Sequence, residues 1–451
     1  MTLRVLTALD HRHEDRVATT LTGRRDLEVV RRCPDLADLL AAAAAGLGDV
    51  ALVSGTVRGL DLDAVAHLGE ADVVVVGVID GDESSDRRLR QLGIDNVVPI
   101  AEAVEELPAL LERLAKRVVV PADDRGPDAL DVDAELAALE AGLDPLGSAA
   151  VPADGDEIGD DEHHGEVIAV WGPAGAPGRT TVAVNLAAEI AARGSACLLI
   201  DADTYGACVA QVLGLLDEAP GLAAAARAAE LGTLDLPTLA RISPTVATGF
   251  RVLTGLPTSG RWSELRSASM THIIDLARGL VDVIIVDCAF CLDDDEELSY
   301  DTRAPRRNGA TLAALAAADQ LVAVAGADPV GLQRLVRALQ DLEAVVAPTP
   351  RIVVNRVRAT AVGSAPERRV GEALARFAGV EVTSYVPEDR ATLDRALLAG
   401  RVLAEEAPGS VVRERLRQLA DALVPEVTPS LSTRRPRWLP RSVTMGRWST
   451  A

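Results

Sequence analysis

Apolar residues arrive along this chain in short blocks, and between the blocks they recur at helical spacing. In the first 118 residues the blocks are Leu3–Leu6, Leu27–Val30, Val50–Val53, Val73–Val78 and Asn96–Pro99. Five short strands alternating with helices predict an α/β domain with a flavodoxin-like doubly wound sheet over residues 1–118. The pattern then breaks. Residues 119–165 are strongly acidic, with Arg125 the lone arginine, and read as a mobile linker in which Ala129–Leu143 has the pattern of one helix. Apolar blocks resume at Val167–Trp171 and recur at Cys197–Ile200, Val281–Val286, Gln320–Ala325 and Arg351–Val354. Residues 166–427 therefore predict a second α/β domain, and residues 428–451 a tail of different character.

Composition narrows the classes of function. Hydrophobic residues make up 48% of the 451 and aromatics only 2%, so Ala, Val and Leu must fill a large core. A net charge of −23 argues against nonspecific nucleic-acid binding by the whole chain. Lys116 is the only lysine, a bias that makes arginine less surprising where another chain would carry lysine. Five cysteines without framework spacing fit a reducing compartment. With no signal peptide and no run of 18 apolar residues in view, the expectation is a soluble, cytoplasmic protein.

The chemistry concentrates after the block Val167–Trp171. A loop with Gly172, Gly175 and Gly178 leads into Arg179-Thr180-Thr181 and a helix. Backbone N–H groups freed by glycine and the positive helix end surround an anion, and a hydroxyl directly after a basic residue suits the magnesium that travels with a nucleotide. The usual spacing, G-x-x-x-x-G-K-[ST], would put the first glycine at Pro173, so the loop is one residue longer, and Arg179 replaces the lysine. The second block ends in Asp201-Ala202-Asp203, the third in Asp287, and the fifth runs into Asn355-Arg356. Val386-Pro387-Glu388-Asp389 then precedes a helix ending near Ala399-Gly400-Arg401.

In that order the five motifs resemble the MinD/ParA family of P-loop ATPases, the deviant-Walker group, over residues 166–427. With the domain in front, the architecture is most similar to the CpaE/TadZ branch and to actinobacterial septum-site-determining proteins of MinD type. The resemblance implies a doubly wound, mostly parallel P-loop NTPase sheet that binds ATP with Mg2+. It implies that Gly172, Gly175, Gly178, Arg179, Thr180 and Thr181 line the phosphates, with Thr180 on magnesium. Asp201 falls near the metal and Asp287 at the Walker B position. Asp203 matches the aspartate that orients the attacking water. Asn355, with Arg356 beside it, matches the amide that reads adenine. It further implies a nucleotide-dependent homodimer acting on a protein partner in division or pilus machinery. Two departures stand out: Ala174 occupies the place of the family's signature lysine, and arginine at 179 is broad and forked where lysine is slender. Hydrolysis is therefore expected to be slow.

The first domain resembles a response-regulator receiver without its phosphorylation chemistry. Its third strand ends at Ser54 where an aspartate is needed, its fifth at Ile100-Ala101 where a lysine is needed, and only Asp10 stands near the acidic pocket. This predicts a pseudo-receiver used for contacts or dimerisation, with a genuine signal receiver as the rival. His163-His164 reads as solvated, and Cys288-Ala289-Phe290-Cys291 as structural thiols, with an iron–sulfur or redox role as the rival. The run from Asp293 to Asn308 reads as a solvated insertion after Asp287, with a partner contact as the rival, and its Arg306-Arg307 pair could supply the charge that the loop lacks. After Val427 no acidic residue occurs, while Arg434, Arg435, Arg437, Arg441 and Arg447 accompany Trp438 and Trp448. That tail has two readings: a contact with the anionic inner face of a membrane, or an unstructured end broken by Pro436, Pro440 and Gly446. The competing view of the whole chain is a non-hydrolysing interaction scaffold.

Overall fold

The computed structural model describes residues 2–21, 24, 26–118, 164–175, 177–215, 221–293 and 305–425. The linker helix expected at Ala129–Leu143, His163, most of the insertion before Asn308 and the arginine- and tryptophan-bearing tail lie outside the described residues.

Each of the five blocks read in the first domain forms a strand: β1 Leu3–Ala8, β2 Leu27–Arg32, β3 Val50–Ser54, β4 Val74–Ile79 and β5 Asn96–Pro99. They pair in parallel in the order β2-β1-β3-β4-β5. All five residues of β3 are buried, as a central strand covered by helices on both faces requires. Asp35, Asp61 and Asp82 cap helices Leu36–Ala44, Leu62–Glu70 and Glu83–Gln91 by accepting from backbone N–H groups of the first turn.

The second domain contributes β6 Glu166–Trp171, β7 Cys197–Ala202, β8 Thr245–Ala247, β9 Phe250–Leu253, β10 Val283–Cys288, β11 Gln320–Gly326, β12 Pro350–Val357 and β13 Val382–Pro387. Their order is β13-β12-β11-β6-β10-β7-β9-β8, parallel except for the β8–β9 pair. β10 lies between β6 and β7, with Asp287 opposite Val170 on one side and Asp201 on the other. The connections after β6, β7 and β10 therefore all emerge at one carboxyl edge of the sheet, where doubly wound folds place their ligands.

Helix Arg179–Ala192 runs from that edge across one face of the sheet. Ten consecutive residues, Val182 to Ala191, are buried, because helix Val411–Leu423 covers its outer side. The polar members of this buried run are satisfied. Glu189 accepts from Arg413 Nε at 2.7 Å, while Asn185 donates to Thr181 O at 2.8 Å and accepts from Leu403 N–H at 2.9 Å. The opposite face is covered by helices including Gly221–Glu230, Ser267–Arg278 and Pro329–Leu342, and its apolar layer is continuous with that of the first domain. Helix Leu62–Glu70 packs on Ser267–Arg278, and Arg266 Nη1 meets Asp63 Oδ2 at 2.6 Å across the junction. Gly232 lies so close to the first domain that a Cβ there would stand 2.9 Å from Arg88 O. The two sheets thus share a core.

Candidate functional site

The glycine loop is closed from three sides. A Cβ on Gly172 would lie 2.2 Å from Val324 O of the neighbouring strand β11, so the backbone itself needs that room. Gly175 and Gly178 have φ of +112° and +101°, values that glycine alone adopts without cost. Gly178 is the N-cap of helix Arg179–Ala192, no side chain caps that end, and no acidic residue occurs in its first turn. The positive end of the helix is left for an anion.

Arg179 does not point away from the loop. Its Nη1 donates to Gly172 O at 3.1 Å and Pro173 O at 3.2 Å, and Nη2 donates to Asp203 Oδ2 at 3.3 Å. Both side chains of this ion pair are only about a tenth exposed, and Arg179 Nε is buried without a partner. Thr180, next in sequence, donates its hydroxyl to Asp287 Oδ2 at 2.6 Å. Asp287 Oδ1 is buried with no partner. Burial, and then the neighbouring Asp201, push the Asp287 carboxyl well above its ordinary range. Asp201 is pushed up to about 7, chiefly by burial, although it accepts from Val209 N–H at 2.9 Å. Two buried carboxyls on adjacent strands with one oxygen unpartnered are a costly arrangement by themselves and a suitable one for a divalent cation.

Asp203 is fixed by its own turn. Its Oδ1 accepts from the N–H groups of Tyr205 at 2.8 Å and Gly206 at 3.0 Å, which leaves Oδ2 for Arg179. Residues 307 and 308 clasp this turn. Arg307 stacks 3.9 Å over the Tyr205 ring, Asn308 Oδ1 accepts from Tyr205 Oη at 2.9 Å, and Thr204 donates to Arg307 O. Phe290, from the stretch after β10, packs on the same ring.

Asn355 ends up behind the loop. Its Nδ2 donates to Pro177 O at 2.8 Å and its Oδ1 accepts from Arg356 N–H at 2.8 Å, so both ends of the amide are engaged. Arg356 adopts φ +58° to make this contact, in the strained left-handed region. Beside them is a cavity of about 320 Å³ lined by Thr181, Asn185, Asn355, Arg356, Asp389 and Arg401. The site residues expected from sequence thus come together: the loop, Asp201, Asp203 and Asp287 at one edge, and Asn355 and Arg356 along one flank. Two neighbours had no signal in the sequence: Arg334 Nη1 reaches Ala174 O at 3.3 Å from 160 residues away, and Cys208 Sγ lies 3.6 Å from Thr180 Oγ1. Arg307, at the end of the insertion, clasps the Asp203 turn.

In the first domain Asp10 Oδ2 accepts from Thr56 Oγ1 at 2.6 Å, with Ser54 hydrogen-bonded to Thr56. Cys288 is fully buried and its thiol is pushed up by burial, while Cys291 interacts with Asp293 and Asn308. Among the described residues no group of three or more His, Cys, Asp or Glu is placed to hold a metal by itself, and no helix is long and apolar enough to cross a membrane.

A model of the CobQ/CobB/MinD/ParA nucleotide binding domain matches residues 168–398, just over half of the chain, and spans every site residue from Gly172 to Arg356. The iron-sulfur cluster carrier protein of Mycobacterium tuberculosis (strain ATCC 25618 / H37Rv) is 26% identical over 265 residues. That match takes in 57% of this chain and 64% of the relative, so the chain spans less than two thirds of the relative's length. Among solved structures, a ParA family ATPase from Chlorobium tepidum TLS aligns with 56% of this chain and 98% of its own, at 18% identity and a TM-score of 0.48. The septum site-determining protein MinD complexed with Mg-ADP, from Pyrococcus horikoshii OT3, aligns with 57% of this chain and 95% of its own, at 20% identity and a TM-score of 0.44. With the family model covering the strands, loop and carboxyls just described, the chain belongs to the CobQ/CobB/MinD/ParA nucleotide-binding domain family.

Proposed function

We propose that the second domain binds ATP with magnesium and works as a slow, nucleotide-dependent dimerisation switch. The observation that carries this reading is the hydrogen bond from Thr180 to Asp287 beneath the loop, with Asp287 Oδ1 left unpartnered and Asp201 on the adjacent strand. Thr180 would hold the cation, and Asp287 and Asp201 would accept from its water. Magnesium, when bound, neutralises charge on the phosphates. The N–H groups at the start of helix Arg179–Ala192 bind the phosphate oxygens, and Thr181 extends that lining. Arg179 turns from the loop carbonyls to the phosphates. That releases Asp203 Oδ2. Asp203, still held by Tyr205 and Gly206 N–H, then accepts a hydrogen bond from the attacking water and orients it. The base occupies the cavity beside Asn355 and Arg356, and Asn355 gives up one of its two present hydrogen bonds to read it.

In this reading the first domain is a receiver-type module kept for contacts. Its 2-1-3-4-5 strand order and the hydroxyl of Ser54 at the acceptor position support that assignment. The combination favours a CpaE/TadZ-like or septum-site-determining role, as a cytoplasmic spatial regulator whose ATP-bound homodimer engages a division or pilus protein. A tail bound to anionic lipid would bring it to the inner face of the membrane.

An iron–sulfur carrier role has one observation in its favour, the curated relative at 26% identity. The Cys288–Cys291 pair gives it little support, because a fully buried thiol whose proton is held by burial is a poor ligand. Sedimentation velocity of the full chain with ATP and Mg2+, with ADP and Mg2+, and without nucleotide, alongside phosphate release, tests the proposed function. Dimer with ATP only supports the switch. Identical sedimentation in all three refutes it.

A further inference from the structure

Arg334 stands on helix Pro329–Leu342, whose start is fixed by Asp328 accepting from Val330 and Gly331 N–H. That helix follows β11, which pairs with β6, the strand that feeds the glycine loop. The sheet therefore sets the base of this arginine beside the loop. Its Nη1 donates to Ala174 O at 3.3 Å, and a Cβ on Gly175 would lie 2.2 Å from the same nitrogen. The guanidinium crosses the loop at Gly175, where there is no side chain to obstruct it.

The two cations at the loop differ in their commitments. Arg179 is only about a tenth exposed, bound to two carbonyls and paired with Asp203. Arg334 is exposed, has a single 3.3 Å hydrogen bond to a neutral carbonyl, and among the described residues is paired with no carboxylate. A guanidinium in that position retains most of its five donors for an incoming anion. A single neutral bond is weak compensation for holding an exposed arginine against a loop, whereas a charge-assisted, forked contact with phosphate oxygens is among the stronger polar contacts available.

We propose that Arg334 is a phosphate-binding residue of this site, contacting the polyphosphate of a nucleoside triphosphate across Gly175. The inference rests on the reading of the second domain as an ATP site. It assigns a role to a residue 160 positions away in sequence, outside the glycine loop and the strand-end carboxyls. In the full chain, the affinity for ATP with Mg2+ is measured by calorimetry at low and high salt for wild type, Arg334→Ala, Arg334→Gln and Arg334→Lys. Because Arg334 is exposed, all four should melt alike without nucleotide. Ala and Gln are expected to bind ATP about tenfold more weakly, a loss of about 1.4 kcal/mol, with a shallower dependence on salt. Lys is expected to regain more than half of that loss, since it restores the charge if not the fork. A glutamine amide can still donate to Ala174 O, so Gln binding like wild type would show a neutral strap on the loop and overturn the proposal. Ala within twofold of wild type, or Lys no better than Gln, would also overturn it. A wild-type chain that binds no ATP would instead bring down the underlying ATP-site reading.

Discussion

Asp201→Asn should make the nucleotide-free protein more stable at neutral and alkaline pH and slightly less stable in acid. The Asp201 carboxyl is 1% exposed and is pushed up to about 7 from its ordinary 3.8, mainly by burial. Below about pH 4 it is protonated in the folded and unfolded chains alike and adds nothing. Between about 4 and 7 the unfolded chain releases the proton while the folded chain keeps it, so stability falls as pH rises. Above 7 both are ionised and the penalty is complete. At about 1.36 kcal/mol per tenfold change in proton affinity, it reaches about 4 kcal/mol. Asparagine carries no such penalty. Its amide oxygen keeps the bond from Val209 N–H, but its NH2 faces the N–H of Asp203, now bound at 3.4 Å, at a cost of about 1 kcal/mol. The variant should therefore gain about 2–3 kcal/mol at pH 8, lose that gain steadily as pH falls, and drop just below wild type near pH 4. Urea unfolding from pH 4 to 8 without divalent cations, followed by tryptophan fluorescence, reads this out, since Trp171 is fully buried on β6. A difference that does not change with pH, or a less stable variant at pH 8, would refute the reasoning.

Arg179→Lys should leave ATP affinity within about threefold of wild type and raise phosphate release by less than about tenfold, because positioning of charge at the transferring group governs rate more than binding; brisk wild-type turnover that climbs with protein concentration would contradict this. Arg266→Ala strips the partner from Asp63 and from Glu230 at the junction of the domains, whose side chains are 19% and 33% exposed, and should cost about 2–3 kcal/mol. Asp63→Asn added to it should recover part of that loss in a double-mutant cycle, and strict additivity would deny the coupling. Acetyl phosphate should leave residues 1–118 unlabelled, since Ser54 stands where an acceptor aspartate is required; a stable acyl phosphate detected there by mass spectrometry would overturn the contact-module assignment.

Where burial on both faces demands a continuous apolar run, the strands were legible. Val167–Trp171, Cys197–Ile200 and most of Val281–Val286 lie in central strands for this reason, although β10 starts only at Val283 and both β7 and β10 run on through their aspartates. β8, β9 and β13 escaped notice because they lie at or next to the sheet edges, are short or half-exposed, and mix Arg251, Thr383 and Ser384 among their apolar positions. The loop and strand-end carboxyls could be read because their spacing is local: a strand, a turn and a helix start fix them within a few residues. What Arg179 and Asn355 do with their side chains could not. Arg179 folds back onto carbonyls at the start of its own loop, and Asn355 is drawn to Pro177 by the packing of β11 between β6 and β12. Arg334 was hidden for the same reason, as its contact with Ala174 exists only once the sheet order is known.

The most direct measurement of the central claim is calorimetric titration of the full chain with ATP, with and without Mg2+, on wild type and Asp287→Asn. If Thr180, Asp287 and Asp201 form a cation-assisted phosphate site, wild type binds ATP with Mg2+ more tightly than ATP alone by at least about tenfold. Asp287→Asn, which removes the carboxylate bound by Thr180, should erase that difference while leaving the fold intact. No heat of binding at millimolar ATP, or a magnesium dependence that survives Asp287→Asn, would contradict the account.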